Sequence, residues 1–479
     1  MKIKKFFDSL GTKSFKLGSY SFILTAIVLA IVIAVNLLAN SLPDRIMHYD
    51  ISAAKIFTFT SNTKAIVTRL NEDVTINWIV QAGKEDEIVG TLLDKYTKLS
   101  DHVKVVKKNP DIYPGFASQY TSETIYNNDL IVTCGDRSRL VRIRDIYMVD
   151  TSESIKGGNE NVNFDGEGQI TSAINYVTRD ELPLILNLIG HEELDFTQCL
   201  TASLTKANYD IANLSLINKD EVPEEAKMVL INSPQVDINQ QELEILEQYI
   251  LNGGRVMLIS GLPIVEKLDN IYELIRRFGF EKQPGVVVEP NSARYAYGQP
   301  YSILATMNKG DITDPLIEEN RQVIVPISQG MVLREEMPDK YLITELLTTE
   351  DTTYSKLKGI NLDVFDREDG DIDGPFCLSA LIEMRDTKGM LCVLSSDFFC
   401  DDDFNSNSAG SNMDYVINAI NYLIGDNEYI TIRATTVKTE TLQISQYEGK
   451  ILKIVMLGVI PVAFLLSGLI QYLRRRGRK

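Results

Sequence analysis

Three histidines occur in the 479 residues, and one of them stands among carboxylates. The segment NLIGHEELDF, residues 187–196, ends an apolar run at Gly190 and then presents His191, Glu192, Glu193 and Asp195. A histidine in such company can act as a general base, bind a metal, or cap a polar turn. Catalysis would require a nucleophile within hydrogen-bond reach of the ring. The sequence contains no Gly-x-Ser-x-Gly and no cysteine at a strand-to-helix elbow. The comparable turn after RVMLIS is Gly261-Leu262-Pro263, which offers no nucleophile. The acidic residues would sit at or before a helix N-terminus, where the macrodipole favours negative charge. Gly190, His191 and Glu192 therefore read as a structural or ligand-contacting turn. The alternative is a hydrolase or amidotransferase-like enzyme that uses His191.

Two further acidic constellations carry possible chemistry. Asp369, Asp371 and Asp373, followed by Gly374, form the first half of a Ca²⁺ loop, in which alternating carboxylates converge on one hard cation. The twelfth position is Ala380, so the bidentate glutamate is absent, and a strand follows rather than a helix. An acidic hairpin tip is the plainer reading. Ca²⁺ is the one candidate cofactor, and otherwise none is expected. Asp397, Asp401, Asp402 and Asp403 occupy a loop that should face the carboxyl edge of the same sheet as Gly190. Cys400 in that loop would be a poor nucleophile, because neighbouring carboxylates raise a thiol's pKa. The five cysteines include no C-x-x-C, which excludes a thioredoxin-type redox pair and a thiolate zinc site.

The elements that must position these groups follow from periodicity. Residues 61–70 and 87–100 read as amphipathic helices, and DVTINWIV and VKVVKK as strands. Residues 129–149 read as two strands joined at a Gly-Asp turn. This β-α-β-hairpin order suits a thioredoxin-like α/β domain over 48–150. The stretch TSESIKGGNENVNFDGEG, 151–168, reads as a linker. From 169 to 430, strands and helices alternate: LPLILNLIG, FTQCLTASLTKAN, YDIANLSL, AKMVLINSP, NQQELEILEQYILNGG and RVMLIS. Such alternation implies a parallel, doubly wound sheet, with the Gly190 turn at a strand's carboxyl end, where sites form.

Charge is unevenly placed. The total is −18, yet residues 1–19 carry +4 and residues 473–479 carry +5, which leaves −27 for residues 20–472. So acidic a body argues against nucleic-acid binding, which needs a basic face. Each basic end flanks an apolar segment, Ser21–Ala39 and Ile454–Ile470. Nineteen uncharged residues at 1.5 Å each cross a hydrocarbon core of roughly 30 Å. The expectation is a two-pass cell-membrane protein with helices at 20–41 and 451–472. Its basic N-terminus (1–19) and tail (473–479) would be cytoplasmic, with residues 42–450 outside and 431–450 as a stalk.

The chain also resembles the GldG-like auxiliary proteins of ABC transporters, first associated with gliding motility. The resemblance is carried by DISAAKIFTFTSNTKAIVTRLNEDVTI, QITSAINYVTRDELPLILNLIGHEE and LINSPQVDINQQELEILEQYILNGGRVMLI, in that order. Glu192 departs from the pattern, since the family usually has Gly there. The resemblance implies an amidotransferase-like core in the second α/β domain. It also implies a non-enzymatic binding or scaffold subunit of an ABC transport system. The partners would be a permease, a cytoplasmic ATPase and the lipid bilayer, because the chain has no Walker A pattern of its own. The expected fold class is therefore α/β: a two-span membrane protein with an extracytoplasmic thioredoxin-like domain, then a doubly wound, amidotransferase- or flavodoxin-like domain.

Overall fold

A computed structural model describes residues 58–150, 161–262, 267–335, 339–358, 365–425 and 435–437, with isolated positions between 27 and 33 and Leu466. The first core is built from local signals. Thr60 caps α1 (Ser61–Thr68) and Asp86 caps α2 (Glu87–Leu99), each side chain accepting from an amide of the first turn. Helix α2 buries Val89, Leu92, Leu93 and Tyr96, a stripe at helical spacing. Strand β1 (Val74–Ile79) pairs in parallel with β2 (Val103–Lys108) and antiparallel with β3 (Asp129–Cys134), which in turn pairs with β4 (Arg137–Val141). The sheet order is β2-β1-β3-β4. A short α3 (Ile143–Ile146) leads into β5 (Tyr147–Asp150), which pairs antiparallel with β6 (Asn161–Phe164). Helix α4 (Gly166–Thr178) closes this core, with Ile170, Ala173, Ile174 and Val177 packed among Val67, Ile76 and Leu92. Sequence had put the body of α4 in the second domain and β6 in a linker; the buried face of α4 ties both to the first core.

The second core begins with β7 (Leu184–Leu188), α5 (Gln198–Lys206), β8 (Asp210–Leu214), β9 (Met228–Asn232), α6 (Gln240–Leu251), β10 (Arg255–Ile259), α7 (Asp269–Arg277) and β11 (Phe280–Lys282). An excursion follows through β12 (Val286–Val288), β13 (Ser302–Leu304), β14 (Thr306–Met307), α8 (Asp314–Glu318), β15 (Ile324–Pro326), β16 (Met331–Leu333), β17 (Tyr341–Thr348), β18 (Tyr354–Lys356) and β19 (Ile372–Asp373). The chain returns through β20 (Cys377–Met384), β21 (Met390–Leu394), α9 (Asp402–Asn407) and α10 (Ser411–Ile424). Finally β22 (Thr435–Val437), within the expected stalk, pairs with β6.

The expected doubly wound parallel sheet is corrected here to a mixed one. Strands β8, β7, β9, β10 and β21 run parallel, and β9 is buried throughout, as a strand covered on both faces must be. Strand β20 then pairs antiparallel with β21, β17 and β16, and β16 pairs antiparallel with β11. The turn between Met384 and Met390 is too short for a crossover helix, so β20 and β21 can only form a hairpin. Two apolar clusters cover the faces of this sheet, one with Leu230, Met257 and Ile420, the other with Ile231, Leu246 and Leu258.

The two-span membrane arrangement is also corrected. Among the described residues no helix is long and apolar enough to cross a membrane. The 14-residue α10 reaches only about 21 Å at 1.5 Å per residue, short of the roughly 30 Å required, and is spent on the core. The expected two-pass placement, with cytoplasmic termini and residues 42–450 outside, loses its basis with it. Apart from the isolated positions already noted, Ser21–Ala39 and Ile454–Ile470 lie outside the described residues.

Candidate functional site

The carboxyl edge of the parallel strands gathers the polar groups. The turn after β7 places His191 with 5% of its surface exposed. Its Nδ1 lies 3.1 Å from Glu193 Oε1 and its Nε2 3.0 Å from Glu242 Oε2. The backbone completes the knot. Gly190 and His191 amides donate to Glu193 Oε2 at 3.0 and 2.9 Å, and the His191 carbonyl accepts from Gln235 and Val236. Glu242 belongs to the capping box of α6, in which Asn239 accepts from the first turn and the Asn239 amide donates to Glu242 Oε2 at 2.9 Å. Its other oxygen, Oε1, is buried with no hydrogen-bond partner.

Where both carboxylates are ionised they only accept, so both ring nitrogens of His191 then donate and the ring is an imidazolium, the direction in which its raised pKa points. The hydrogen bond to Glu193 is the main cause that raises the His191 pKa; burial opposes it and Glu242 adds to it. Burial pushes the Glu193 carboxyl up, but the hydrogen bonds from the His191 ring and backbone outweigh it and hold it below the usual range. Such an imidazolium has no lone pair to offer a substrate. Glu192, at φ +53°, adopts the left-handed conformation that favours glycine.

A second cluster lies at the ends of β10, β11 and β21. Burial alternates along β11, so Lys282 points inward with Phe280 while Glu281 faces out. Lys282 Nζ donates to Ser260 O at 2.5 Å and to Ser395 Oγ at 2.8 Å. Burial drives its pKa down to about 7, against the opposing pull of Asp397. Asp397 Oδ1 accepts from the Gly261 amide at 2.7 Å, and burial raises its pKa. Gly261 is required by this approach, because a Cβ there would lie 2.5 Å from Asp397 N. The hydroxyls of Ser260 and Ser328 are buried and unpartnered, while that of Ser233 faces the Asp397 carboxylate and lowers its pKa. Sequence reading passed over Lys282, although the alternation Phe-Glu-Lys in a strand was the available signal.

The acidic loops serve the fold. Asp371 accepts from Leu357 and Glu368 amides, Asp373 pairs with Arg367, and Lys356 lies 4.0 Å from Asp371. The predicted Asp369, Asp371 and Asp373 are thus not brought onto one point, and among the described residues no group of three His, Cys, Asp or Glu could hold a metal ion. Asp401 caps α9, while Asp402 accepts from Gln198 and Cys199 amides at the start of α5. Burial also raises Cys400, to a direction far from thiolate, and Cys199 to about 12. A separate cavity of about 500 Å³ lies between Tyr297, Asn320, Arg321 and the α9–α10 turn, and holds none of the predicted site residues.

No protein-family model and no curated protein matches the chain. Solved structures with partial similarity include the N-terminal domain of mmIFT52, at 17% identity and TM-score 0.38, covering 51% of this chain and 98% of that one. PurLQS from Thermotoga maritima aligns at 8% identity and TM-score 0.25 over 51% of this chain and 100% of that one. The exo-beta-1,4-mannosidase Op5Man5 from Opitutaceae bacterium strain TAV5 aligns at 10% identity and TM-score 0.27 over 70% of this chain and 48% of that one, so the chain spans about half its length. Likeness at this level decides neither the fold family nor a function. None of the three is GldG-like, and the expectation of gliding motility finds no support among them.

Proposed function

We propose that the chain is a non-enzymatic binding or scaffold protein, and that its partners are an ABC-type permease and the associated ATPase. The observation that carries the non-enzymatic part is the double hydrogen bonding of His191 to Glu193 and Glu242. A ring held on both nitrogens by buried carboxylates orients a loop and does not take protons from a substrate. It fastens the β7–α5 turn to the N-terminus of α6, 51 residues away in sequence. The partners rest on the GldG-like sequence motifs. Affinity purification from the native cell under mild conditions tests the assembly: recovery of a permease and an ATP-hydrolysing subunit supports it. Hydrolysis of an ester or amide by the purified chain, abolished in His191→Gln with the fold intact, would overturn the non-enzymatic reading.

A further inference from the structure

We propose that the cavity between the β12–β13 turn and the α9–α10 corner binds a pyranose sugar, one face of which stacks on Tyr297. The cavity holds about 500 Å³, within the range of roughly 300–1,000 Å³ of small-molecule sites. Segments distant in sequence build it: the turn between β12 and β13, the stretch between α8 and β15, and the corner from Asn407 to Ser411. It lies apart from the His191 clamp and shares no residue with it. The turn Ala296–Gln299 is closed by the Gln299 amide, which donates to Ala296 O at 3.0 Å. Its central residues, Tyr297 and Gly298, sit at φ +57° and +69°. Such a turn ordinarily carries Asn-Gly. Here a tyrosine is held in that conformation, 47% exposed, and its hydroxyl donates to Asn407 O at 2.8 Å, so the ring spans two walls of the cavity. Ala409, on the wall that Asn407 belongs to, is strained likewise at φ +53°. Strained residues gathered around one concavity mark a binding surface.

The lining selects the ligand. Among the described residues, the side-chain amides of Asn320, Gln322 and Asn407 have no hydrogen-bond partner, and the Arg321 guanidinium lies 3.6 Å from Glu319. A side-chain amide both donates and accepts, as a sugar hydroxyl does, so the two pair without leaving an unmatched group. Leu304 and Ile324 give the cavity an apolar side and Tyr297 a flat one, which match the C–H face of a pyranose. A phosphate finds no amide cradle here. The first-turn amides of α10 are spent on Ser408 O, Ser408 Oγ and Asn405 Oδ1, and Glu319 already stands beside Arg321.

The full-length chain is titrated with the methyl pyranosides of glucose, galactose, mannose and N-acetylglucosamine, and with inorganic phosphate for comparison. Binding of the sugars is read by saturation-transfer difference NMR and that of phosphate by calorimetry. At least one sugar is expected to bind with a Kd of about 1 mM, the level that a ligand of this size reaches. Tyr297→Gly suits the left-handed turn and removes the ring, so affinity should fall at least about fivefold while the circular dichroism spectrum is unchanged. Tyr297→Phe keeps the ring without the hydroxyl and should bind within about twofold of wild type. Binding of none of these sugars, undiminished binding in Tyr297→Gly, a loss in Tyr297→Phe as large as in Tyr297→Gly, or binding of phosphate in place of a sugar would overturn the proposal.

Discussion

Replacing His191 with alanine removes two hydrogen bonds from a cation to buried carboxylates. The side chains left behind, Glu193 and Glu242, are 6% and 2% exposed. Breaking one partner out of a buried ion pair costs about 3–5 kcal/mol. Both carboxylates keep backbone donors, two amides on Glu193 and the Asn239 amide on Glu242, so the lower end, about 3 kcal/mol, is expected. The pH dependence has a definite sign. His191 is raised in the folded state, so its contribution is complete below the unfolded value of about 6.5 and is lost as pH rises through the folded pKa. Glu193 is lowered, so its contribution is complete above the unfolded value of about 4.3 and is lost as pH falls through the folded pKa. The difference between wild type and His191→Ala should be greatest at about pH 5–6.5 and smaller at pH 8.5. Urea unfolding followed by circular dichroism at pH 5.5, 6.5, 7.5 and 8.5 measures it. A difference below about 1 kcal/mol at pH 6, or one that grows with pH, would refute the imidazolium clamp.

Lys282→Met should flatten the stability of the second core between pH 7 and 9. In wild type the unfolded state binds the extra proton, so stability rises by about 2 kcal/mol over that interval, which parallel urea titrations of the two proteins detect. Gly261→Ala drives a Cβ to 2.5 Å from Asp397 N, and a loss of about 1–3 kcal/mol in the same assay is expected. Asp371 and Asp373 are already occupied by amides and cations, so millimolar Ca²⁺ should leave the melting temperature unchanged; a calcium-dependent rise abolished by Asp371→Ala would restore the metal site.

Much of the local structure was readable because its causes lie within a few residues. The run Met228–Asn232 is apolar enough to be a strand buried on both faces, and the Asn239-x-x-Glu242 spacing announces the start of α6. Likewise, Gly190 ends β7, and α10 stops at Gly425 in the left-handed conformation. Other features depend on which elements become neighbours. The stretch Ile170–Val177 is amphipathic in either assignment, and only packing against β3 and β4 places it in the first core. The short turn between β20 and β21 announced their hairpin, but strands read from alternation do not declare their other neighbours, so the antiparallel flank of β17, β16 and β11 was hidden inside a pattern that also suits a parallel sheet. His191 was visible as a histidine among nearby acids, but its second partner, Glu242, is 51 residues away and brought to 3.0 Å by the adjacency of β7 and β9. Lys282 shows the same division. Alternation within Phe280–Lys282 sets its inward direction, while its burial and low pKa come from the ends of β10 and β21 closing over it. Capping and periodicity are short-range interactions written into adjacent residues, whereas the protonation state of a buried group is set by whatever the sheet order brings within a few ångströms of it.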